Sequence, residues 1–398
     1  MIPVSEARDR ILATLSPTPA ETVPLAVAAG RVLARPVRAR LTQPPAAVSA
    51  MDGYAVRATD ATDGAILAVV GSAPAGHPYA GVVGPGQAVR IFTGGFIPTG
   101  ADAILLQEDA AAMGEQVAVR ETVAEGRWIR PAGLDFTAGE TLLEQGRKLT
   151  ARDIGLAAAA NHPWLAVHRA PRIGILATGD EIALPGEPIP EGGIVSSNAH
   201  ALAALVRAAG GEPVVLPIAP DDEAAIIALA ADARGCEMLV TTGGASVGDH
   251  DLVQKALGPQ GFALDFWKIA MRPGKPLIWG RLGETPLLGL PGNPVSALVC
   301  AVVFLLPALR VLQGQPGGAT PTHTAILGAP LPENDRREDY MRASLSADGR
   351  VVTAFKRQDS SMLKTLARAE ALVIRAPHAP ALPEGAEVEI IRLDELGI

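Results

Sequence analysis

The sequence predicts an α/β plus β chain of several domains: a doubly wound, largely parallel α/β domain, a β-rich inserted domain, a small helical linking domain and a C-terminal β-barrel or sandwich. Three observations predict it. At 398 residues the chain exceeds the length at which a single core usually stops growing. Residues 171–318 alternate apolar runs of strand length with helical runs, as a parallel sheet covered on both faces requires. On either side of them, short apolar runs punctuated by glycine and proline mark β structure.

The first element is a helix with Ala7, Ile11, Leu12 and Leu15 at helical spacing, stopped by Ser16-Pro17. Residues 44–136 carry the runs "AILAVVGSAPAG", "GQAVRIFTGGFIPTGADAILLQED" and "EQVAVRETV", which read as the inserted β domain. "LTARDIGLAAAANHP" then reads as a second helix, with Thr150 and Asp153 as a capping pattern and Asn161-His162-Pro163 as its stop. This helix is expected to pack on the first, so that residues 1–43 and 137–170 form one discontinuous helical linking domain.

Residues 171–318 read as the substrate-binding domain. Its strands are "RIGILAT", "PVVLPIA", "EMLVTT", "PLIWG" and "PLLGL", and its helices are "NAHALAALVRAAGG", "DDEAAIIALAADA", a segment around "DLVQKAL" and a buried helix from Pro294. Residues 319–398 hold four further β segments, "HTAILGAPL", "YMRASLSADGRVVTAFK", "ALVIRAP" and "EVEIIRL", with Asp348-Gly349 as a hairpin turn.

Hydrophobic residues make up 48% of the chain, enough for several cores. A formal charge of -8 argues against nucleic acid or an anionic membrane as partner and leaves room for a small anion in a local basic pocket. Cys236 and Cys300 are too few and too isolated for a disulfide framework or a cysteine metal site. The N-terminal "MIPVSEARDRILATL" lacks the apolar core of a signal peptide. The most apolar run, residues 295–309, is shorter than the ~20 residues of a membrane span. A cytoplasmic location is expected.

Ligands of open parallel sheets bind beyond the carboxyl ends of the strands. Those exits are here "TGDE" (178–181), "PDDE" (220–223), "TGGASVGDHD" (242–251) and "PGNP" (291–294), and "FWKIAMRPGKP" adds Lys268, Arg272 and Lys275. Acids and cations on one rim suit a phosphate ester with Mg²⁺, and Gly243 with Gly244 lets backbone N–H groups approach an anion. A plainer reading stands beside each. Asp221 and Asp222 could cap a helix, the Gly-Gly pair could be a tight turn, Asp180-Glu181 a solvated loop, and the cations a solvated face. His250 has no second histidine at ligand spacing and reads as a surface residue.

The motifs "SAMDGYAV" (49–56), "IFTGGFIPTGADAILLQED" (91–109), "ATGDEI", "TTGGASVGDHD", "MRPGKPL" and "GLPGNPVSA" together resemble the molybdopterin molybdenumtransferase family, the bacterial MoeA type related to the E domain of gephyrin. The resemblance implies an enzyme of molybdenum cofactor synthesis. Such enzymes take adenylyl-molybdopterin and molybdate and release cofactor and AMP with Mg²⁺. It also implies four domains and an elongated homodimer with the cleft between subunits. Molybdopterin adenylyltransferase and cofactor-accepting apoenzymes are the further partners it suggests.

Carried over residue by residue, the resemblance assigns Asp52, Thr93, Arg130 and Asp135 from the insertion and Glu181, Asp221, Asp251, Lys268, Arg272, Lys275, Pro291 and Pro294 from the α/β domain. Glu181, Asp221 and Asp251 would position metal or water. Lys268, Arg272 and Lys275 would meet phosphate or molybdate, and Gly243, Gly244 and Ser246 would form the substrate-binding loop. The chain departs from the family pattern at Arg272, where many relatives carry lysine, at Ser196, where they often carry aspartate, and at Asp359 and Lys364 in "QDSSMLKTLA". Two other functions fit parts of the pattern: a molybdopterin adenylyltransferase, which does not need the flanking segments, and a gephyrin-like scaffold without catalysis.

Overall fold

The computed structural model describes residues 1–243 and 252–397. At its centre is a six-stranded sheet of β1 (Arg172–Ala177), β2 (Glu212–Val215), β3 (Met238–Thr242), β4 (Phe262–Lys268), β5 (Pro276–Leu282) and β6 (Thr285–Leu290), in the order β2-β1-β3-β6-β5-β4. β2, β1, β3 and β6 pair in parallel, as the strand and helix alternation predicts. β5 is antiparallel to both of its neighbours. Its link to β6 turns on Gly283, at a φ of 59°, and is far too short for the crossover that a parallel pair needs. β4 therefore runs the same way as the parallel four, which brings its Lys268 end to their exit edge, opposite Pro276 in register.

The α-helices of six residues or more among the described residues are α1 (Val4–Ala13), α2 (Ala151–Ala159), α3 (Asn198–Ala208), α4 (Glu223–Ala231), α5 (Leu252–Leu257) and α6 (Pro294–Leu312). α1, α3 and α6 cover the sheet face that presents Ile173, Ile175 and Val240. α4 and α5 cover the face with Leu176 and Leu239. α6 runs 19 residues with a mean hydropathy of 2.4, enough by length and composition to cross a membrane, yet 83% of that apolar stretch is buried inside the protein. It is the core helix of this domain, longer than the 295–309 run suggests because Arg310 lies in its last turn without ending it. Residues Ala301–Leu305 within it form a π turn.

α1 does not pack on α2, contrary to the sequence expectation. Val4, Ala7, Ile11 and Leu15 join the α6 cluster instead, beside Ile269 and Leu309. The Ile2 backbone extends this attachment, donating to Lys268 O at 3.2 Å and accepting from Ala270 N at 2.8 Å. The linking segment is correspondingly less helical than expected. Strand Ala20–Pro24 pairs with Trp164–His168, Val37–Arg38 pairs with Thr141–Leu143, and α2 is the helix that shares their core through Ala157.

α2 starts with the capping box foreseen from the sequence: Asp153 Oδ2 accepts from Thr150 N and Thr150 Oγ1, each at 2.8 Å. Burial raises the Asp153 pKa, but the hydrogen bonds from Arg147 and Thr150 outweigh it and hold the carboxyl below its ordinary 3.8. Asp153→Ala should cost about 1–2 kcal/mol of stability at neutral pH. Because the folded pKa lies below the unfolded one, this stabilisation is present above pH 3.8 and is lost as the pH falls through the folded value. Denaturant titrations of both proteins at pH 7 and in acid should show the difference shrinking.

The insertion is a mixed six-stranded sheet in the order Ala103–Leu106, Gly53–Val56, Gln87–Ile91, Ile66–Ala73, Gln116–Val119, Ala110–Met113. Alternation along Gly53–Val56 sends Tyr54 and Val56 into one core and Ala55 into another. At the C-terminus β7 (His323–Leu327), β8 (Glu338–Leu345), β9 (Val351–Ala354), β10 (Ala371–Arg375) and β11 (Glu387–Arg392) close in the order β8-β9-β7-β11-β10, with β10 returning to β8. This is a five-stranded barrel, which decides between the two β architectures the sequence left open. The Asp348-Gly349 turn forms as expected, with Gly349 at a φ of 70° and Ser346 Oγ donating to Asp348 Oδ1 at 2.6 Å.

Candidate active site

The exits of β1, β3 and β6 open into one cleft of about 780 Å³. Its walls include Thr178 and Glu181 after β1, Thr242 and Gly243 after β3, and Pro291 to Pro294 after β6. Asn198, at the start of α3, ties two of these exits together: its Nδ2 donates to Thr242 Oγ1 at 2.8 Å and to Gly292 O at 2.7 Å. The Thr178 hydroxyl is buried without a hydrogen-bond partner among the described residues. Gly243 is required twice over. Its φ is 93°, and a Cβ there would lie 2.4 Å from the Thr178 carbonyl oxygen.

Of the residues foreseen from the sequence, Glu181, Gly243, Pro291 and Pro294 line this cleft. Asp221 lies on the neighbouring exit, where its N–H donates to Asp180 Oδ1 at 3.0 Å. Asp222 takes the plainer of its two readings and caps α4, accepting from Ala225 N at 2.9 Å. Gly244, Ser246, Asp249, His250 and Asp251 fall outside the described residues. Ser361 and Leu363, from the segment between β9 and β10, also line the cleft. Their segment is anchored at α6, where Asn293 Nδ2 donates to Ser360 Oγ at 3.0 Å and Val295 N donates to Ser360 O at 3.2 Å. The segment "QDSSMLKTLA" departs from the family pattern at Asp359 and Lys364, but nothing local to it announces contact with a loop so far away in the chain.

The three cations separate. Lys268 stacks over the Trp267 ring, its Nζ 3.6 Å from the centroid. Lys275 directly precedes Pro276, a cleft residue, and its ammonium has no hydrogen bond or ion pair among the described residues. Arg272 is engaged by the barrel. Its Nε donates to Asp339 Oδ2 at 3.0 Å, Nη1 to Asp335 at 3.2 Å and Nη2 to Asn334 at 3.2 Å, so the guanidinium faces the barrel. The Asp339 hydrogen bond raises its pKa further and keeps it charged.

No group of three or more histidine, cysteine or acidic side chains suits a metal among the described residues. Glu181 and Asp221 on adjacent exits nevertheless fit Mg²⁺ chemically, since that ion commonly takes one or two carboxylates and fills its octahedron with water and substrate phosphate.

The insertion residues form a separate constellation. Asp52 Oδ1 accepts from Thr93 N at 2.7 Å and from Thr93 Oγ1 at 2.8 Å, and the Thr93 backbone bond chiefly holds its carboxyl below the usual range. Arg130 is exposed on strand Ile129–Arg130, which pairs with Val48–Ser49, and Asp135 is exposed with its N–H on Gln43 O at 3.0 Å. None of the four lines the cleft of its own chain. Met51, Phe92 and Trp128 are exposed beside them.

Family models match three consecutive regions: the MoeA N-terminal region (domain I and II) over residues 2–161, a probable molybdopterin binding domain over 174–311, and the MoeA C-terminal region (domain IV) over 324–393. Molybdopterin molybdenumtransferase 2 of Mycobacterium tuberculosis is 39% identical over 367 residues, covering 88% of this chain and 90% of the relative. The chain belongs to the molybdopterin molybdenumtransferase family. The molybdopterin molybdenumtransferase of a Nostoc species is 36% identical to this transferase over 386 residues, 94% of this chain and 88% of that one. The molybdopterin biosynthesis moeA protein of Pyrococcus horikoshii has the same architecture as this transferase, at a TM-score of 0.86, with 28% identity and coverage of 98% and 99%.

Proposed function

We propose that this molybdopterin molybdenumtransferase binds adenylyl-molybdopterin and molybdate in the strand-exit cleft and releases molybdenum cofactor and AMP. The observation that carries the reading is the convergence of Glu181, Gly243, Pro291 and Ser361, from four distant parts of the chain, on that one cleft. Cleaving a phosphoric anhydride mainly requires neutralising phosphate oxygens and orienting the attacking oxygen. Lys275, unpaired among the described residues, supplies a cation at the rim, and the first turn of α6 presents the positive end of a long helix to an oxyanion. Mg²⁺, when bound, adds charge neutralisation at the phosphates, and Glu181 and Asp221 would hold it, with Asp251 assigned to it by the family resemblance.

We further infer a homodimer in which the insertion of one chain completes the cleft of the other. The absence of Asp52, Thr93, Arg130 and Asp135 from their own chain's cleft supports it, as do the exposed apolar residues beside Asp52 and Thr93. A cytoplasmic location, with an adenylyltransferase supplying the intermediate and apoenzymes receiving the product, fits this chemistry.

The decisive experiment incubates the purified protein with adenylyl-molybdopterin and molybdate, with and without Mg²⁺, and assays AMP and active cofactor. Release of both is expected. ATP-dependent adenylylation of free molybdopterin would select the adenylyltransferase reading, and binding without turnover in either assay would select a scaffold.

A further inference from the structure

We infer that Arg272 is a positioning residue: it docks the barrel onto the lysine-bearing loop of the α/β domain and makes no contact with substrate. The inference deepens the cleft reading above and rests on it only for the kinetic consequence. Residues Met271–Arg272 add a short strand in parallel to the start of β8, with Met271 opposite Glu338 and Arg272 opposite Asp339. Glu338 N donates to Ala270 O at 2.9 Å and fixes that register. The guanidinium then spends donors on Asp339, Asp335 and Asn334, all three from the barrel. The Asp339 side chain is only 8% exposed. Turning Arg272 towards a phosphate would strip this buried carboxylate of its closest cation, a change that buried ion pairs resist.

The other end of the loop is held by α6. Gly274 has a φ of 113°, and a Cβ there would lie 2.3 Å from Cys300 Sγ, so the backbone sits directly on the helix. Between these two anchors the chain has little freedom, and it leads straight into Lys275 and the cleft residue Pro276. A lysine at position 272 would offer one compact ammonium where three barrel acceptors are spread to meet a planar fork. In this chain, therefore, the arginine is matched to the barrel, and Lys275 is the cation of this loop left for substrate.

Amide hydrogen exchange over residues 270–276 in the substrate-free protein, together with steady-state AMP release, tests this for wild type, Arg272→Lys, Arg272→Met, Asp339→Asn and the Arg272→Met/Asp339→Asn double variant. Both Arg272 variants should exchange about tenfold faster over this segment, since the anchoring contact is gone. Their kcat should fall about tenfold while KM for adenylyl-molybdopterin stays within about twofold, the signature of a displaced rather than deleted contact. Asp339→Asn should behave alike, and the double variant should be no worse than either single one. Exchange identical to wild type in both Arg272 variants would overturn the inference. So would a roughly tenfold KM rise in Arg272→Met with wild-type kinetics in Arg272→Lys, because a phosphate accepts either cation. If Asp339→Asn fails to fold, the lysine and methionine variants decide alone. The exchange measurement needs no substrate, so it stands apart from the transferase reading.

Discussion

Mixing two inactive proteins, Asp52→Ala and Glu181→Ala, should restore roughly a quarter of wild-type AMP release once subunits have exchanged. Asp52 is set in the insertion by Thr93, whereas Glu181 lines the strand-exit cleft, and none of the described residues lining that cleft comes from the insertion. In the proposed twofold dimer each cleft would pair one chain's insertion with the other's exits. Random exchange makes about half of the dimers heterodimers, and each has one cleft with both lesions and one with neither. Were the cleft completed within a single chain, every cleft would retain a lesion. Heterodimers verified by mass spectrometry that stay inactive would therefore remove the shared cleft.

Gly243→Ala should abolish turnover nearly completely, lowering AMP release by about a hundredfold or more through displacement of the β3 exit. The new Cβ cannot remain 2.4 Å from a backbone carbonyl, and the φ of 93° is itself strained for alanine. The exit must move away from Thr178, whereas a Cβ added on the neighbouring Gly292 would meet the Gly243 Cα at 3.6 Å. Gly292→Ala is the matching control: that distance is ordinary contact, and its turnover should remain within about threefold of wild type. Gly243→Ala turning over as well as the control would show that the glycine serves an undemanding turn.

Much of this site was legible because parallel strands have a direction. Once "RIGILAT", "EMLVTT" and "PLLGL" are read as parallel strands, Glu181, Gly243 and Pro291 must come to one edge, and they do. Lys268 reaches the same edge for a reason pattern reading did not contain, the reversal of β5, which leaves β4 aligned with the others. The α1 partner was illegible for a different reason. An apolar stripe of Ala7, Ile11 and Leu15 states that a helix must be covered, not by what, and α6 offers a more apolar surface than α2. Arg272 shows the remaining limit. A cation in a phosphate-like motif looks the same in sequence whether it faces a ligand or a buried aspartate, because Asp339 lies far along the chain and only the barrel's docking brings it near.

The attachment of α1 to α6 also orders the events of synthesis. α1 is translated well before α6, and the surface it covers follows only after the insertion and the whole α/β sheet. A ten-residue helix without its partner is marginal in water, so α1 must wait as a fluctuating segment while the chain grows. α6 meets no such delay. Strands β1, β3 and β6 and helix α3 all precede it, so this most apolar segment finds its receiving surface already translated and is exposed only briefly. Closing α1 over it is then a step that joins segments far apart in the chain, and a nascent chain released before Pro294 would leave the apolar face of α1 uncovered.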